Sequence, residues 1–149
     1  MRFWGIEPKV GLVSGSYALL AFYLNARSGM GLAFPLLGLF LLVPGLALWL
    51  VCYLQVSRAY ARGMLLTRGC YSKARHPIYA IWGFLILPGF SLVVGGFMLF
   101  LPVIYWLSVL AFIGEEEKAL EERFSDEWRK YARRTPRFCP CHISKIKRL

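Results

Sequence analysis

Apolar residues come along this chain in long blocks, and the polar residues between them are clustered. The first block, 10–25, follows Glu7 and Lys9 and is short for a membrane crossing, but tilt and the flanking Trp4 and Tyr23 can adjust it. The stretch Asn25-Ala-Arg-Ser-Gly reads as a turn. The second block, 32–56, is long and interrupted by Pro44-Gly45. A polar segment to His76 then carries Arg58, Arg62, Arg68, Lys73 and Arg75. From Ile78 to Gly114 there is no charged residue. As one helix that run would be roughly 55 Å long, against a hydrocarbon core of about 30 Å, so it must fold back on itself. Ser91 to Gly96, ending in paired glycines, is the expected turn, and Pro88 and Pro102 are expected to kink the two arms.

The pattern predicts an all-α integral membrane protein with four transmembrane helices, at 10–25, 32–56, 78–93 and 97–114, the last two forming a hairpin. Residues 1–149 make a single membrane domain in this reading. A further helix over 115–132 is expected outside the membrane, because Leu120, Phe124, Trp128 and Tyr131 recur at helical spacing as one apolar stripe. That stripe could dock on the lipid surface, on the hairpin, or over a pocket between them. Pro136 ends the helix, and 133–149 is a basic tail.

Composition and charge sharpen this picture. The chain is 58% hydrophobic and only 17% charged, too apolar for an ordinary soluble domain. Its net charge of +10 is not spread evenly. Every Lys and Arg except Arg27 falls on the N-terminus, the central polar segment or the tail, and four spans place these on one side. By the positive-inside rule that side, with both termini, is cytoplasmic, at the plasma membrane in a prokaryote or the endoplasmic reticulum in a eukaryote. The basic bias therefore reads as topology before nucleic acid. The first block is kept as a mature span, since no small-residue cleavage site follows it. The cysteines, Cys52, Cys70, Cys139 and Cys141, are too few and scattered for a disulfide framework, and are expected to be reduced thiols. Cys139-Pro-Cys-His142 has no second cluster to complete a zinc site, so no metal is expected.

Two segments could carry chemistry. In "KARHPIYA", Lys73 to Ala80, Pro77 disfavours helix at His76 and suits the first helical position. Arg75 and His76 then stand just outside a helix N-terminus, with Tyr79 one turn in. Unpaired N–H groups and an arginine there would suit an anion, and the same positive field favours a neutral His76. In "GEEEKALEERF", Gly114 to Phe124, carboxylates emerge directly from an apolar helix end. Folding the hairpin brings Arg75-His76 and Glu116-Glu117 to the same membrane face. A ligand touching both would have an anionic part and a cationic or hydroxyl-rich part. S-adenosylmethionine fits that description, and so do other zwitterions, including a phospholipid headgroup.

At these two motifs the sequence resembles the isoprenylcysteine carboxyl methyltransferase-like family of integral membrane methyltransferases, related to the phospholipid methyltransferases. The resemblance is carried by "TRGCYSKARHPIY", Thr67 to Tyr79, and "EEEKALEERFSDEWRKYARRTPRFCP", Glu115 to Pro140. It implies an S-adenosylmethionine-dependent enzyme acting on a lipid or other lipophilic acceptor that enters from the bilayer. It implies a cofactor site formed by His76, Tyr79, Glu116 and Glu117, with Arg75 and Tyr71. Ser125 stands where the family pattern has glycine, and Trp128 where it has tyrosine. Phe112 stands where the prenylcysteine branch tends to have an arginine, which argues against a prenylcysteine carboxylate as acceptor. Because R-H-P-x-Y also occurs in membrane sterol reductases, an NADPH-dependent reductase is the competing enzymatic expectation. A non-enzymatic scaffold binding anionic lipid is the other.

Overall fold

A computed structural model describes residues 5–29 and 31–138 of the chain. Trp4, Cys139, Cys141, His142 and the tail beyond Phe138 lie outside the described residues. Five α-helices follow one another: α1 (Glu7–Ser28), α2 (Pro35–Ala61), α3 (Pro77–Ile81), α4 (Leu87–Val94) and α5 (Leu101–Arg134). Short 3-10 turns at Gly69–Ser72 and Gly96–Phe100 and a π-turn at Trp82–Ile86 complete the chain path. All these elements are helical, as the apolar pattern requires.

Three helical stretches are long and apolar enough to cross a membrane: Pro35–Ala61, Pro77–Val94 and Gly96–Arg134. Helix α1 is not among them, because Ser14, Ser16, Tyr17 and Asn25 dilute its apolar character. The outward face of α2 supports a lipid surrounding: Leu36 is 83% exposed and Phe40 75%. A contiguous apolar surface of that extent is not sustained in water.

The elements pair crosswise. Helix α1 lies on α5, α2 lies on α4, and α4 joins α5 through the hairpin, while α1 and α2 barely touch. The α2–α4 crossing is set by glycine. A Cβ on Gly38 would meet the Gly89 carbonyl at 2.5 Å, and one on Gly89 would meet the Gly38 carbonyl at 2.8 Å. The two backbones therefore touch directly, the small-residue packing that replaces hydrophobic driving force inside lipid.

The hairpin turn falls inside the expected Ser91–Gly96 stretch, at Gly95 (φ 76°) and Gly96 (φ 59°), left-handed conformations that glycine adopts without a Cβ penalty. It is tied to the last turn of α1, which runs on through the expected turn at Asn25 as far as Ser28: Asn25 Nδ2 donates to the Gly95 carbonyl (3.1 Å) and its Oδ1 accepts from the Phe97 N–H (2.8 Å).

Three expectations need correction. Pro102 does not kink mid-helix; it sits in the first turn of α5, whereas Pro88 lies within the continuous helical stretch Pro77–Val94. The π-turn Trp82–Ile86 immediately upstream of Pro88 widens the backbone where the proline ring would otherwise press on the preceding turn. Second, no break separates the last span from a helix at 115. Residues 115–132 continue α5, and the interruption comes at Ser125 (φ 43°, ψ −113°), because the carboxylates after Gly114 are held by partners that keep the helix going. Third, Cys52 and Cys70 are joined in a disulfide rather than reduced, with Cα atoms 5.7 Å apart. The segment after α2 turns back on it, and the Gln55 side-chain oxygen accepts the Cys70 N–H (3.0 Å), holding the two cysteines together.

Candidate functional site

Three consecutive carboxylates, Glu115, Glu116 and Glu117, leave α5 in directions about 100° apart, as successive helical positions must. Each finds a different partner, which relieves their mutual repulsion. Glu115 pairs with Lys9 on α1. Glu116 accepts the Tyr79 hydroxyl (2.8 Å) and the Ile6 N–H (3.3 Å). Glu117 faces Arg75 (3.1 Å) and is gripped by Arg137, whose Nε and Nη2 donate to it at 3.0 and 2.6 Å.

His76 lies between the last two. Its Nε2 is 3.3 Å from Glu117 Oε1 and its Nδ1 is 3.6 Å from Glu116 Oε1, with the ring only 4% exposed. Burial pulls the His76 pKa down, but hydrogen bonds to Glu116 and Glu117 and their charges outweigh it, and the net shift is upward. The shift runs opposite to the one expected from the helix N-terminus alone. The field of a helix N-terminus is a partial charge, whereas two carboxylates within 4 Å carry full ones.

The backbone locks this arrangement. The N–H groups of Arg75 and His76 donate to the carbonyls of Pro136 (2.8 Å) and Arg137 (2.9 Å), so the segment after α5 lies against the loop before α3. Tyr131 donates its hydroxyl to the Tyr71 carbonyl (2.6 Å), and the Arg75 guanidinium lies over the Trp128 ring. The Ser125 break makes this possible by turning residues 126–134 back over the site. Arg129 reaches Glu121 at 2.7 Å, although in a straight helix those positions stand about 12 Å apart along the axis.

All six expected residues, Tyr71, Arg75, His76, Tyr79, Glu116 and Glu117, therefore converge, and five of them line one cavity of about 140 Å³ between α2, the 63–71 loop and α5. Glu117 stands behind it, on a separate surface cleft. The apolar stripe Leu120, Phe124, Trp128 and Tyr131 faces the cavity, the third of its expected docking places. Two participants had no signal in the sequence. Arg137 was one cation among many in a basic tail. Glu7 opens α1 and was read only as a flank, yet it lines the cavity, and burial together with the charge of Glu116 pushes its carboxyl up to about 7. A second space, an apolar groove of about 730 Å³ between α1, α2 and the α3–α4 segment, shares Glu7, Tyr53, Ile78 and Tyr79 with the cavity.

Comparison with family models, curated proteins and solved structures finds no match. The chemistry must be argued from the site itself.

In the cavity most charges are already matched. One donor is not: Arg75 Nε is buried with no hydrogen-bond partner. Among the described residues no group of His, Cys, Asp and Glu could hold a metal ion. The walls carry the Arg75 Nε–H, the Arg123 guanidinium, the carboxyl groups of Glu7 and Glu116, and aromatic side chains including Tyr53, Phe124 and Trp128.

Proposed function

We propose that this chain is a four-pass integral membrane methyltransferase using S-adenosylmethionine, with residues 10–25 of α1 as the first span, both termini cytoplasmic, and a lipophilic methyl acceptor. The observation that supports it most is the meeting of two distant motifs, Arg75-His76-Pro77-Ile78-Tyr79 and Glu116-Glu117, around one cavity with an orphaned arginine donor. These are the segments on which the family resemblance rests.

The donor set fits a zwitterionic nucleoside. Arg75 Nε suits a carboxylate, Glu116 suits an ammonium or ribose hydroxyls, and Trp128 and Phe124 offer faces to a base. A bound S-adenosylmethionine would supply an electrophilic methyl group on a sulfonium. The protein's own work is positioning and water exclusion. His76, hydrogen-bonded to Glu117 at 3.3 Å and 3.6 Å from Glu116, fixes their orientation, and Tyr79 holds Glu116. The 126–134 arm covers the site, with Trp128 and Tyr131 buried beneath it. The cavity is smaller than the roughly 300–1,000 Å³ usual for small-molecule sites, and the contiguous groove supplies the remaining space and a route from the bilayer.

Calorimetry on detergent-purified protein tests this reading. Wild type is expected to bind S-adenosylhomocysteine and not NADPH, and His76→Ala or Glu116→Ala to weaken that binding by about tenfold or more. Wild type that binds no S-adenosylhomocysteine overturns it, and NADPH binding in its place would favour the reductase.

A further inference from the structure

We propose that the lipophilic ligand of this site is an amine: its cationic head seats at Glu7, and its chain lies along the groove between α1 and α2. That this amine is the methyl acceptor rests on the methyltransferase reading; the binding site itself does not.

The argument begins with charge. Around the cavity Lys9 pairs with Glu115, Arg75, His76 and Arg137 face Glu116 and Glu117, and the Arg123 guanidinium lies over the Tyr60 and Phe124 rings. Glu7 is a half-buried carboxylate with no cation partner among the described residues, and Glu116 beside it adds repulsion. A positive group brought there would relieve both its burial and that repulsion, while a carboxylate head would add a third negative charge. The walls suit an ammonium as well, since Tyr53 and Tyr79 line the same two spaces as Glu7.

Position then selects the chain. Glu7, Tyr53, Ile78 and Tyr79 border both the polar cavity and the apolar groove, so a head at Glu7 has its tail in the groove. The groove exists because α1 and α2 barely touch. Below Glu7, α1 turns Gly11, Ser14, Gly15 and Ala18 toward it at helical spacing. A Cβ on Gly11 or Gly15 would meet nothing within 4 Å, so no side chain fills the space. Ser14 Oγ, in a residue only 9% exposed, lines the groove without a hydrogen-bond partner. Trp49, Trp82 and Phe90 form the facing wall.

Trp49 and Trp82 make tryptophan fluorescence a direct readout. Purified full-length protein in phosphatidylcholine nanodiscs is titrated with dodecylamine, dodecanol and dodecanoic acid. Saturable binding of dodecylamine at least about tenfold tighter than of the other two is expected. Glu7→Gln should bring dodecylamine down to the level of dodecanol. Gly15→Leu should weaken dodecylamine but leave butylamine unaffected. Equal affinity for the acid or alcohol in wild type overturns the proposal without any variant, and so does Glu7→Gln that retains the amine preference. S-adenosylhomocysteine binding without amine preference removes this proposal alone. Amine preference without S-adenosylhomocysteine binding supports the site and removes its link to methyl transfer.

Discussion

The Tyr79 hydroxyl donates to Glu116 at 2.8 Å, joining the first turn of one arm of the hairpin to the far end of the other. Neither residue has a comparable partner within its own helix, so this bond holds the closure of the hairpin at the site. A hydrogen bond to a charged group is worth about 1.5–3 kcal/mol. Tyr79→Phe should lower stability in detergent by an amount of that order, while Tyr23→Phe, on the exposed face of α1, should not. A melting temperature unchanged by Tyr79→Phe would show that the bond contributes nothing.

His76 gives the site a pH dependence of definite sign. Its pKa is raised in the folded state above the ordinary 6.5, so its stabilising contribution is complete below that value and is lost as pH rises through the folded pKa. The stability advantage of wild type over His76→Gln should therefore shrink from pH 6 toward alkaline pH, read as the difference between their melting temperatures. A difference that grows with pH would mean His76 is buried neutral.

Glu7 behaves in the opposite sense to an ordinary surface carboxylate. Its pKa rises from 4.5 to about 7 on folding, so ionising it opposes the folded state, and stability is lost as pH rises across that window. Glu7→Gln should match wild type below the window and be the more stable above it. Saturating dodecylamine should erase the difference. Equal pH profiles for the two proteins would show that Glu7 is solvated.

Ser125 is the only described non-glycine residue with positive φ. Such a conformation costs about 1–3 kcal/mol, and glycine removes most of that. Ser125→Gly should raise the melting temperature and keep the Arg129–Glu121 contact. Ser125→Val should lower it and loosen the arm that carries Trp128 and Tyr131. If glycine destabilises, the turn is not where the strain lies.

The disulfide between Cys52 and Cys70 makes a covalent prediction. Alkylation of folded protein should label these two cysteines only after reduction, as read by peptide mass. Closing a loop of this size is worth about 3 kcal/mol, so Cys70→Ser should lower the melting temperature. The disulfide also bears on orientation, because such bonds persist in oxidising compartments and on a cytosolic face are commonly transient or redox-sensing. Labelling without reduction in freshly isolated membranes would mark the bond as absent there.

Much of the fold was legible along the chain. The charge-free run from Ile78 to Gly114 had to fold back, since helix length and bilayer thickness leave no alternative, and Gly95-Gly96 marked where. Pro77 marked the start of α3. These are local facts: periodicity, proline geometry and hydropathy act within a few residues. The convergence of His76 and Tyr79 with Glu116 and Glu117 followed from the same fold-back, because its two ends must lie on one face.

Only the tertiary structure decided the rest. Glu7 reaches the site because α1 packs on α5 rather than on its neighbour α2, and no pattern within α1 says so. Arg137 became the grip on Glu117 because Ser125 breaks the helix and returns the chain, a conformation that serine does not announce. Cys52 and Cys70 met because the loop between them turned back, against the inference from their scattered positions. The direction of the His76 pKa shift likewise turned on two carboxylates about 40 residues away in sequence, since a pKa is set by what lies within a few ångströms in space.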